Sequence, residues 1–129
     1  MKLHHVQVIM PVGGDDGARA FWRDTMGLSE VTPPPELIGR PVRWFRAYDD
    51  AGAVTLEVHV LAEDPFVPAR MAHPAILVAS VAELEALGGR VASGGYEISW
   101  AQRTSFAGYQ RFHCWDGFGN RVEVMTPAR

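Results

Sequence analysis

Five histidines, together with acids placed close to some of them, are where this sequence could do chemistry. His5, His59, His73 and His113 fall at the start of, or inside, short stretches of alternating apolar and polar residues, as do Glu57 and Glu123. Imidazole combined with carboxylate suits Zn²⁺, Fe²⁺, Ni²⁺ or Mn²⁺, whereas calcium favours oxygen ligands alone. None of these residues forms a local motif such as HisGluXaaXaaHis, so separate strands must bring them together. His5, His73 and Glu123 rank first as metal ligands. Glu57 and His59 share a face of one strand, and either could take a fourth place. Gln7, Arg111, His113 and Trp115 are candidates to line the pocket. Arg111 suits an anionic substrate, the neutralising of a carboxylate, or an ion pair with Glu57. His4 points to the helix side or to solvent and reads as structural.

The elements that would position these groups follow from period-two alternation and from glycine and proline punctuation. Leu3 to Met10 is a strand with Val6 and Val8 on one face, His5 and Gln7 on the other. Asp15 or Asp16 caps a helix whose apolar face holds Ala18, Phe21, Trp22, Thr25 and Met26, and Gly27 ends it in a left-handed conformation. Ser29 to Val31 is a short strand. Thr32 to Pro41 carries four prolines and reads as a surface loop over a pocket mouth. Val42 to Tyr48 and Val54 to Leu61 form a hairpin through Asp49 to Gly52. Glu63 to Arg70 connects this half to a second one of the same order. There, His73 to Val78 is a strand, and Ser80 with Glu83 makes a capping box for a helix that Gly88 and Gly89 end. Arg90 to Ala92 and Glu97 to Trp100 are weaker strands. Gln110 to Trp115 and Arg121 to Met125 pair through the turn Asp116 to Asn120.

In each strong strand one face is apolar: Val54, Leu56, Val58 and Val60; Pro74, Ile76 and Val78; Phe112 and Cys114; Val122 and Val124. The opposite faces carry the histidines and acids. Exposure to water would explain any one of these polar residues. Four of the five histidines on such faces point instead to a curved sheet around a polar cavity. Cys114, on the apolar side, reads as inert core.

At 129 residues the chain is one domain built of two small halves, about 1–62 and 72–127, joined by 63–71. Its hydrophobic content of 47% suits a folded protein. A net charge of −3 without a basic stripe argues against nucleic acid, and no apolar run is long enough for a membrane span. A single cysteine excludes an internal disulfide, and the expectation is a cytoplasmic protein.

Several stretches resemble the vicinal oxygen chelate superfamily, which includes glyoxalase I, extradiol dioxygenases, and fosfomycin and bleomycin resistance proteins. Leu3 to Val8 resembles its opening strand, Ala18 to Leu28 its first helix, and Phe66 to Ala75 the segment before its central histidine. Arg111 to Glu123 resembles the closing signature, the most specific of the four. The resemblance implies an α+β fold of two βαβββ modules forming a half-open barrel around a metal-binding cavity, and a homodimer. By position it implies His5, His73 and Glu123 as ligands, with His59 in the fourth place and Glu57 as the fallback. It further implies a divalent-metal-dependent lyase or isomerase of glyoxalase I type. In that chemistry Glu123 (or Glu57) moves a proton on a small substrate that chelates the metal through neighbouring oxygens. An extradiol Fe²⁺ dioxygenase and a non-catalytic, bleomycin-resistance-like binding protein remain alternatives. Two departures stand out: Gly117 replaces a proline, which should loosen the hairpin, and His113 replaces an aromatic residue.

Overall fold

The computed structural model describes all residues, 1–129, as two compact units, Met1–Pro68 and Ala69–Arg129. The first runs β1 (Val6–Met10), α1 (Asp15–Arg19), β2 (Ser29–Val31), β3 (Val42–Tyr48) and β4 (Val54–Ala62). The second runs β5 (Ala75–Leu77), α2 (Val81–Ser93), β6 (Ile98–Ser99), β7 (Tyr109–Trp115) and β8 (Arg121–Pro127). Both are βαβββ modules, so the fold is α+β. Each has one open four-stranded sheet, ordered β1-β4-β3-β2 in the first module and β5-β8-β7-β6 in the second. In each sheet the first strand pairs parallel with the last, and the remaining pairs are antiparallel. No helix is long and apolar enough to cross a membrane.

The expected apolar face of the first helix is buried: Ala18, Phe21, Trp22, Thr25 and Met26. Asp15 and Asp16 occupy its first turn, but the cap position itself is Gly14, with no side-chain cap. After Arg19 the helix continues as a π-helical turn, Ala20–Thr25, in which the Thr25 hydroxyl donates to the Ala20 carbonyl at 2.9 Å. Gly27 ends it at φ +84°, a conformation that costs glycine little. Ion pairs tie this helix to its own sheet, Arg19 to Glu30 on β2 at 2.7 Å and Arg43 on β3 to Asp15 at 3.1 Å.

In the second module the Glu83 amide donates to the Ser80 hydroxyl, and the Glu83 carboxylate reaches back to the Ala79 amide. The capping box thus starts α2 at the expected place. Its end is different. Gly88 and Gly89 lie inside the helix, and Arg90 to Ala92, expected as a strand, belong to its last turn. The glycine pair does not stop α2 because neither residue needs a positive φ there. Gly88 instead makes room for Trp100: a Cβ at that position would lie 2.4 Å from the indole. The stop comes at Gly94 and Gly95, the latter at φ +81°. Leu84, Leu87 and Val91 bury one stripe of α2, which packs on β6, β7 and β8. The β7–β8 turn is pinned by the buried Asp116, whose carboxylate accepts from the Phe118 and Asn120 amides and from Asn120 Nδ2. Gly117 has φ +77° in this turn, which a proline ring cannot adopt.

Candidate metal centre

In the second module β7 and β8 are in register with His113 opposite Glu123, and Ala75 of β5 lies on the other side of Glu123. His73 precedes β5 by two residues. Its Nδ1 donates to the Met71 carbonyl at 2.6 Å, which turns Nε2 toward Glu123 Oε2 at 2.9 Å. His113 Nε2 lies 3.6 Å from the same oxygen. Donor atoms of His73, His113 and Glu123 all fall within 4.8 Å of one another. The other carboxylate oxygen, Oε1, accepts from Arg111 Nη1 at 2.9 Å.

The first module repeats the arrangement. Val6 of β1 pairs with Val58, the neighbour of Glu57 on β4, while Arg46 of β3 lies directly opposite Glu57. Arg46 Nε donates to Glu57 Oε1. Oε2 faces His59 Nε2 at 3.0 Å and His4 Nδ1 at 3.6 Å. His4, His5 and Glu57 have donor atoms within 4.8 Å of one another. His59 is stacked between two rings, Trp44 at 4.0 Å and His5 at 4.1 Å between centroids.

Glu57 is 2% exposed and Glu123 5%. Burial alone would raise both carboxyls. The bonds from Arg46 and His59, and from Arg111 and His73, outweigh it and hold both below the ordinary carboxyl value. Burial lowers His59 and His113 below the ordinary histidine value, and neutral imidazole is the form that ligates a metal.

Of the two candidates for a fourth ligand, Glu57 stands with His5 in a donor group, whereas His59 is stacked and turned toward Glu57. His4 and His113 enter the donor groups, although the sequence suggested a structural role for one and a pocket-lining role for the other. For His4 the reason is local: β1 begins only at Val6, so alternation does not govern residues 4 and 5. The adjacent pair His4-His5 was the signal available. Gln7 is exposed on β1 beside His59, and Trp115 lies at the turn end of β7, opposite Arg121. Arg111 is engaged by Glu123 rather than Glu57. The start of the proline loop, Thr32 and Pro33, borders a polar recess of about 430 Å³ with Arg23, Glu30, Val31 and Arg43.

A family model described as the Glyoxalase/Bleomycin resistance protein/Dioxygenase superfamily matches residues 2–124. The chain belongs to that superfamily. Among solved structures of the superfamily, a glyoxalase family protein from Bacillus anthracis is 34% identical, with a TM-score of 0.83 over 98% of this chain and 95% of that one. A glyoxalase/dioxygenase from Nostoc punctiforme shares the fold at 17% identity and TM-score 0.75, covering 99% of this chain and 92% of that one. The fosfomycin resistance protein FosX from Listeria monocytogenes does so at 15% and 0.73, covering 99% and 94%. No protein of curated function matches by sequence.

Proposed function

We propose that the chain is a divalent-metal-dependent enzyme of the glyoxalase/dioxygenase superfamily, acting on a small substrate that binds the metal through neighbouring oxygens. The observation that carries this reading is the buried Glu123, whose Oε2 faces two imidazoles while Oε1 is neutralised by Arg111. This donor set fits a borderline cation such as Zn²⁺, Ni²⁺, Fe²⁺ or Mn²⁺. The His73 ring adds support, because a ligating imidazole commonly donates its other N–H to a carbonyl, as His73 does to Met71. His73, His113 and Glu123 are the proposed ligands of the second module, and in the first module Glu57 is preferred to His59 because it stands in a donor group with His5. When bound, the ion supplies Lewis acidity toward the substrate oxygens.

The chain's own residues do the rest. His73 and His113 turn ring nitrogens toward Glu123 Oε2, and the bond from Arg111 helps hold the Glu123 carboxyl below its ordinary value. Trp44 fixes the His59 ring by stacking on it. In lyase or isomerase chemistry Glu123, or Glu57, would carry a proton between adjacent carbons, which requires its Oε2 to leave the neighbouring histidine. A second reading is favoured by the donor groups themselves. Each holds two histidines and one carboxylate, the composition of the triad that non-haem Fe²⁺ oxygenases use. A homodimer and a cytoplasmic location are part of the same proposal.

The test is metal analysis of protein purified without added metal, then hemithioacetal isomerisation and catechol-dependent oxygen uptake with each of Fe²⁺, Ni²⁺, Zn²⁺ and Mn²⁺. Isomerase activity supports the first reading, and oxygen uptake with Fe²⁺ supports the second. Failure to bind any of the four ions overturns both and leaves the non-catalytic binding protein.

A further inference from the structure

Glu57 and Glu123 sit in different modules, on different strands, yet each is held in the same way. One carboxylate oxygen is bound by an arginine of the preceding strand of the hairpin, Arg46 or Arg111. The other faces one histidine at 3.0 or 2.9 Å and a second at 3.6 Å. Each guanidinium also lies over an aromatic ring, Arg46 over Trp44 at 6.0 Å and Arg111 over Phe106 at 5.4 Å. Arg111 is fixed further by the loop before β7. It donates to the Gln102 carbonyl at 3.3 Å, to Gln102 Oε1 at 3.2 Å and to the Ser105 hydroxyl at 2.9 Å. A guanidinium anchored on so many sides cannot follow the carboxylate if the latter turns. The carboxylate must keep the orientation that the arginine imposes.

We infer that Arg111 is a positioning residue for Glu123, and Arg46 for Glu57, each occupying Oε1 so that Oε2 alone is offered to a divalent cation. This rests on the metal reading above and deepens it. The arginines do not touch the cation; they act through the carboxylate. The loop Gln102–Ser105 thereby acquires a role in ligand geometry, although it contributes no donor.

The test compares the full chain with Arg111→Met, Arg111→Lys and, as a control, Arg90→Met on the exposed side of α2. Co²⁺ is titrated by calorimetry and by its visible absorption bands, which report ligand number and geometry. The expected result is a loss of about 10- to 100-fold in Co²⁺ affinity for Arg111→Met with a changed band shape, the usual scale for a residue that orients a ligand. Arg111→Lys should recover part of the affinity, and Arg90→Met should match the parent. Should Arg111→Met fail to fold, Arg111→Lys still carries the test and should bind Co²⁺ more weakly than the parent, because an ammonium has three N–H donors for the four acceptors that Arg111 bonds. A folded Arg111→Met with parental affinity and parental bands overturns the inference while leaving the metal reading intact. If the parent binds no Co²⁺, the metal reading fails. The inference, which rests on that reading, then fails with it.

Discussion

The two modules share an order of elements and a way of holding a carboxylate, but they differ in how firmly the histidines are held. In the second module His113 is buried within β7, and His73 is bonded to Met71 immediately before β5. In the first module His4 and His5 both precede β1, and the His4 side chain is 80% exposed. The first module compensates with the Trp44–His59–His5 stack, which steadies His5 from one side. Both modules therefore carry the buried acid and its arginine, while they differ in where the imidazoles come from. The part built on paired strands is preorganised, and the part built on a leading segment depends on stacking.

Removing the acids gives the largest contrast. Glu123→Ala leaves Arg111, only 15% exposed at its side chain, without its charge partner, and should cost about 3–5 kcal/mol in denaturant unfolding. Glu57→Ala strands the more accessible Arg46, which can turn to water, and should cost about 1–3 kcal/mol. Equal losses would mean that the two clamps are equivalent in energy as well as geometry. Next comes the glycine pair of α2. Gly88→Ala drives a methyl into Trp100 and should cost about 1–3 kcal/mol, whereas Gly89→Ala meets nothing and should gain about 0.8–1 kcal/mol from helix propensity. Thermal melts of the two variants should move in opposite directions.

The modules should also respond alike to acid. His59 and His113 have folded-state values below the ordinary 6.5, and Glu57 and Glu123 below the ordinary 4.5. In each case the unfolded chain takes up a proton before the folded one does. Stability present above these values is therefore lost as pH falls. Urea midpoints of chelator-treated protein should begin to drop near pH 6.5 and drop again below pH 4.5. His59→Gln and His113→Gln should each remove part of the first step. A midpoint that stays constant down to pH 5 would contradict the burial of both rings. The smallest effect concerns Cys114, fully buried with its thiol pushed up to about 12. Alkylation at pH 8 should wait for unfolding, and rapid labelling of native protein would show that the second module opens readily.

Much of this architecture was legible because it depends on local rules. The alternation in β3, β4, β7 and β8, the buried face of the first helix, Gly27 and the Ser80–Glu83 box stand where the sequence put them. Gly88 misled because a glycine signals a helix stop only when its φ is positive, and its actual reason, the Trp100 ring, is twelve residues away in sequence. The polar faces were legible too, but a shared face does not say which neighbour a side chain binds. The residues alone left Glu57 and His59 open and the resemblance put His59 first; the stack on Trp44 and the bond from Arg46 favour the opposite order. Arg111 was a pocket candidate by its side of the strand, and only Gln102, Ser105 and Glu123 show where its donors go. His4 was missed because the rule that excluded it applies to strands, and it precedes one.

The most direct measurement is an anomalous difference map from crystals of the chain grown or soaked with Co²⁺. The account predicts a peak within bonding distance of Glu123 Oε2 and His73 Nε2, with Arg111 still on Oε1. A map without that peak, with His73 still bonded to Glu123, would contradict it.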